Sequence, residues 1–131
     1  MRKLFLATLL LSVLSSCDPV STMDANILNS TSESISLVLV SSVEPNETFQ
    51  IAPNETILFR EGFSTTGNFL KPELIEYDSI YIQNESNEVL KVFKENTAGK
   101  NIYKIDDYWS FDEPAKRYYQ YDYEITNEDI Q

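Results

Sequence analysis

Along much of this chain hydrophobic and polar positions alternate with a period of two, the pattern of strands that turn one face to a core. In residues 34–40, Ile35, Leu37 and Leu39 fall on one face and Val38 and Val40 on the other, which predicts a strand covered on both sides. Two short strands are predicted over 48–52 and 55–60, with Pro53-Asn54 joining them as a hairpin. A second hairpin is predicted from 78–84 and 88–94 around Glu85-Ser86-Asn87, and a final strand over 118–126. Ile27 and Leu28 are candidates to begin the first strand. Residues 61–72 contain Gly, Ser, Thr, Asn and Pro and predict an exposed loop, pinned to the body by Phe63 and Phe69. Residues 101–111 predict one or two short strands or an irregular aromatic segment, and 127–131 a polar tail. No segment carries a helical period. The expectation is an all-β fold, a single β-sandwich, immunoglobulin-like or similar, of about seven short strands over 34–131.

The N-terminal pattern is different. Arg2 and Lys3 precede an uncharged apolar run from Leu4 to Leu14, too short to cross a bilayer as a helix but of the length found in export signals. Leu14-Ser15-Ser16-Cys17 follows, and Cys17 is the single cysteine of the chain. These residues resemble the signal and lipobox of bacterial lipoproteins. The resemblance covers residues 1–17 and implies removal of 1–16, a diacylglyceryl group on the Cys17 thiol and an acyl chain, palmitate or similar, on its amine. Two or three chains hold a protein stably on a membrane where one would not. Residues 17–33, rich in Ser, Thr, Asn and Asp, are expected to be the lipidated cysteine and a flexible tether. Asp18 directly after the cysteine leaves the choice of membrane open, and the outer membrane is the expected location. With one cysteine no internal disulfide forms, so the exported domain stands on its core.

Charge narrows the partners. The formal net charge is −11, and removing Arg2 and Lys3 makes it more acidic. A phosphate backbone needs a basic footprint, so nucleic acid is excluded as a partner. Direct attraction to anionic headgroups is excluded as the source of membrane attachment, which falls to the lipid. There is no histidine, which removes the commonest general base and most zinc sites. Cys17 is taken by lipid, and the three glycines form no phosphate loop. Carboxylate-only hydrolysis remains open, since two acids suffice for it, but no pair stands out among the acids. A non-catalytic protein without a cofactor is expected.

Two constellations carry candidate chemistry. Asp106, Asp107, Asp112 and Glu113 are oxygen ligands close enough in sequence to hold a cation such as calcium, although their spacing is not that of an EF-hand and also suits a solvated loop. Tyr118, Tyr119, Tyr121 and Tyr123 with Trp109 offer an aromatic platform for a glycan or a protein. On a strand Tyr119, Tyr121, Tyr123 and Ile125 share one face, and the pattern favours that face as core. Asn29, Asn46, Asn54 and Asn84 begin N-glycosylation patterns, which in such a chain chiefly mark turns. Asp78-Ser79-Ile80 resembles a short O-glycosylation motif of exported proteins of Bacteroidetes-type bacteria.

The acidic, Asn- and Tyr-rich composition and the ending Tyr121, Tyr123, Ile125, Thr126 are similar to the small lipoproteins of that bacterial group. The resemblance implies an envelope location and a compact β-domain. The functional expectation is a membrane-anchored interaction or accessory module with an envelope protein as partner. The alternative is a glycan- or ligand-binding lipoprotein, and a carboxylate hydrolase ranks last.

Overall fold

The computed structural model describes residues 18–131; Cys17 and the expected signal at 1–16 lie outside them. Eight strands form: β1 Ser21–Asn29, β2 Ile35–Val40, β3 Glu47–Ile51, β4 Thr56–Ser64, β5 Ser79–Gln83, β6 Val89–Phe93, β7 Ser110–Ala115 and β8 Tyr118–Ile125. A single-turn helix, α1 (Ile105–Tyr108), precedes β7, and a 3-10 turn at Asn127–Ile130 ends the chain. The strands make two four-stranded sheets, ordered β4-β1-β8-β7 and β3-β2-β5-β6. The two sheets pack as a β-sandwich, as the alternation predicted.

The first and last strands lie side by side in the middle of the first sheet. β1 and β8 run parallel, with Met23 opposite Tyr119, Ala25 opposite Tyr121 and Ile27 opposite Tyr123. All six side chains are buried. The tether expected over 17–33 is therefore corrected for the described residues: 21–29 is a central strand. Its signal is weak because the inward positions Ser21, Met23, Ala25, Ile27 and Asn29 mix small, polar and apolar side chains.

The hairpin expected between 48–52 and 55–60 is also corrected. β3 pairs with β2, whereas β4 pairs with β1 in the other sheet. Asn54, with φ 61, turns the chain from one sheet to the other and donates its N–H to the carbonyl of Asn29. The second expected hairpin does form, between β5 and β6. Residues 61–64 continue β4 rather than opening a loop. The expected polar tail is a capped turn, with Thr126 and Asp129 bonded reciprocally.

Asn29 joins the layers. Its amide donates to the carbonyls of Glu33 and Ile51 at 2.9 Å each, and its Oδ1 accepts from the Thr31 N–H at 2.9 Å and the Thr31 hydroxyl at 2.6 Å. Asn29 has no exposed surface, so the glycosylation pattern it begins is a buried structural element.

Across the core runs a series of rings: Phe49 on β3, Phe59 on β4, Trp109, Tyr123 on β8 and Phe93 on β6, with successive centroids 5.3 to 6.5 Å apart. Such tilted and edge-on contacts add to the burial of each ring. β1 and β8 are longer than the strands facing them. At the β1 start the core face is covered by the segment after β4, where Leu70 packs on the cluster and its carbonyl accepts from the Tyr121 hydroxyl at 3.3 Å.

Candidate functional site

Trp109, Tyr119, Tyr121 and Tyr123 all belong to the core. The aromatic platform is thus corrected: these rings are packed against one another and are not free to stack on a sugar face. The Trp109 indole N–H donates to the Ile102 carbonyl at 2.8 Å, which fixes the ring inward. Tyr118 is the exception. It lies on the outer face of the first sheet, half-exposed, and its hydroxyl donates to Asp24 Oδ2 at 2.7 Å. That hydrogen bond raises the Tyr118 phenol pKa. Burial pushes up Tyr121 and, further, Tyr123, whose hydroxyl is buried with no partner among the described residues.

The four candidate cation ligands are divided. Asp106 and Asp107 sit in α1, where Asp106 pairs with Lys71 at 2.6 Å. Asp112 and Glu113 lie on β7 and are occupied locally. Asp112 Oδ1 accepts from the Glu113 N–H at 2.9 Å, and Glu113 Oε1 from the Arg117 N–H at 2.8 Å. Among the described residues no group of three or more acids is arranged to hold a metal ion.

The most elaborate polar cluster surrounds Arg60. A bulge opposite Ala25 and Asn26 brings Phe59 and Arg60 together. The Arg60 guanidinium lies 4.5 Å from the Phe59 ring centre and 5.3 Å from that of Tyr77, and pairs with Glu47 at 3.2 Å. Arg60 also donates to the Tyr77 hydroxyl, which donates to Glu47 Oε1 at 3.1 Å. Burial holds Tyr77 up at about 12 against the lowering effect of Arg60. Every member of the cluster is engaged with another, which fastens β4 to β3.

One surface differs from the rest. β7 is an edge strand exposed along its whole length, and among the described residues no strand pairs with its outer side. Phe111 on β7 stands opposite Tyr121 and is 51% exposed. Phe69, 62% exposed, reaches over from the loop after β4. The Phe69 centroid is 6.0 Å from Phe111 and 4.8 Å from Tyr119, and Phe111 lies 5.1 Å from Tyr121. Two exposed rings are therefore seated on two buried ones beside an open edge. A cleft of about 380 Å³ continues from Phe69 past Leu70 and Gly62 to Phe63. Phe69 was legible as a pinning residue, but its pairing with Phe111 was not, because it depends on two segments forty residues apart.

Pro114 interrupts the pairing of β7 with β8 between Asp112 and Ala115. Proline fits an edge strand and limits how far a further strand could extend the sheet there. No helix among the described residues is long and apolar enough to cross a membrane. The chain matches no known family model, no curated protein and no solved structure.

Proposed function

We propose that the protein is a lipid-anchored, non-catalytic interaction module of the bacterial cell envelope, attached to the outer membrane through Cys17. Its partner is an envelope protein that takes the β7 edge and the Phe69–Phe111 rings. The observation that carries this reading is the placement of these two exposed rings against the open edge. Exposed aromatic side chains backed by a rigid core are favoured anchors for a protein partner. An unpaired strand supplies backbone donors and acceptors in register beside them. Residues 64–70 carry no charge, and the two acids of β7, Asp112 and Glu113, each accept a nearby backbone N–H.

The test is crosslinking in intact cells followed by purification of the tagged lipoprotein, for the wild type and for a Phe69→Ser/Phe111→Ser variant. A stoichiometric envelope protein with the wild type that falls at least tenfold with the variant supports the reading. Recovery of the same partner in equal amount with both rules out this surface. Recovery of the wild type alone rules out a stable partner.

A further inference from the structure

Between Cys17 and the start of β1 lie only Asp18, Pro19 and Val20. Even fully extended, a link of this length spans at most about 14 Å. It is also laid down on the fold. A Cβ on Gly67, which has φ 69, would stand 3.0 Å from Pro19 Cβ and 3.3 Å from Arg117 Nε. Pro19, the loop at Gly67 and the turn at Arg117 therefore meet at one point. Register puts this point at one end of the first sheet: Ser21 lies opposite Ser64, Thr22 opposite both Phe63 and Tyr118, and Ala115 opposite Tyr118.

That end has its own chemistry. Phe63 is 66% exposed and Val20 half-exposed. Lys116 and Arg117 form the turn between β7 and β8, and residues 64–70 carry no charge. Asp18, Asp24, Glu61 and Glu113 are the acids on this part of the first sheet; Asp24 accepts from the Tyr118 hydroxyl and Glu113 from the Arg117 N–H. Acids lie at both ends of the sandwich: Glu33, Glu55, Glu85, Glu88, Glu124 and Glu128 at the far end, with Lys100 among them, and Glu44, Glu47, Asp78 and Glu95 at the end of the second sheet nearer the link.

We propose that the domain stands end-on on the bilayer, with Val20, Phe63 and the Lys116-Arg117 turn seated in the headgroup layer. This inference rests on the reading of Cys17 as the lipidated residue. The occupant of the tip is the lipid surface itself, because the link is too short to lift the tip clear of it. Apolar rings and long basic side chains suit that layer, the rings in the acyl boundary and the charges at the phosphates. The β7 edge then runs upward from the membrane, leaving Phe111 accessible from the side.

The test uses the natively lipidated protein in vesicles of phosphatidylethanolamine and phosphatidylglycerol. With the Cys17 thiol carrying lipid, an introduced cysteine is the single free thiol for a nitroxide label. Labels at Thr65→Cys and Asn68→Cys should be shielded from a water-soluble nickel relaxant several-fold more than a label at Glu85→Cys, and more accessible to oxygen. Equal nickel access at all three positions of the acylated protein would overturn the end-on arrangement while leaving the anchor in place. An intact mass without acyl chains would remove the anchor and this inference together.

Discussion

The ring of Phe69 meets that of Tyr119 edge-on, with centroids 4.8 Å apart, so an exposed side chain on a loop closes the core over a buried one on the last strand. The contact makes Phe69 both a lid and a surface. Replacing it with Ser should cost about 1–2 kcal/mol of stability, less than a fully buried Phe because well over half its surface is already in water. Phe111→Ser should cost a similar amount. Because the two rings touch, the double variant should differ from the sum of the singles. Denaturant unfolding of the three variants measures this directly.

Asn29 is the polar residue on which the junction of the sheets depends. Asn29→Ala would remove the amide donor to the Ile51 carbonyl and the acceptor of the Thr31 N–H in a buried site, while the Thr31 hydroxyl still donates to the Glu33 carbonyl at 2.9 Å. The expected loss is roughly 2–4 kcal/mol. Asn29→Asp should also be destabilising, since a carboxylate cannot donate to the two carbonyls. A thermal unfolding midpoint equal to that of the wild type in both variants would contradict this role.

Tyr123 makes the opposite prediction. Its hydroxyl is buried and has no partner among the described residues, while its ring packs against Trp109 and Phe93. Tyr123→Phe keeps the ring and removes the unpaired group. The variant should be as stable as the wild type or more stable by up to about 1–2 kcal/mol. A clear destabilisation would show that the hydroxyl has a partner in solution.

Alkaline pH should unfold the domain through its tyrosines. Burial raises Tyr77 and Tyr103 to about 12, from an ordinary value of 10.0. Both phenols stay protonated in the folded chain where the unfolded chain has lost the proton. The stability they contribute is complete below pH 10 and is lost as pH rises from about 10 to about 12. Phenolate absorbance should therefore rise in two stages, the exposed phenols first and the buried ones together with the loss of tertiary circular dichroism. Titration of all tyrosines in a single step near pH 10 would contradict the burial.

The strands that could be read from the sequence are those whose burial is written in large side chains. Ile35, Leu37 and Leu39, Ile80 and Ile82, and Tyr119, Tyr121 and Tyr123 each announce a face without reference to any other segment. β1 was not legible because Ser21, Ala25 and Asn29 become core only through a parallel partner at the far end of the chain. The assignment of β3 and β4 failed because a turn signal reveals a reversal and not the sheet in which the next strand lands. The same limit applies to the site. The tyrosine row was correctly favoured as core, but the exposed pair Phe69–Phe111 exists only once β7 lies beside β8 and the loop after β4 folds back. The four acids at 106–113 were close in sequence, and α1 followed by β7 sends them to separate partners.

The central claim is that a protein partner occupies the β7 edge. The most direct measurement places the photocrosslinker benzoylphenylalanine at Phe111, and in a second strain at Val92 on β6, and irradiates living cells. The account predicts one discrete adduct with an envelope protein from position 111 and none from position 92. No adduct from position 111, or the same adducts from both, would contradict it.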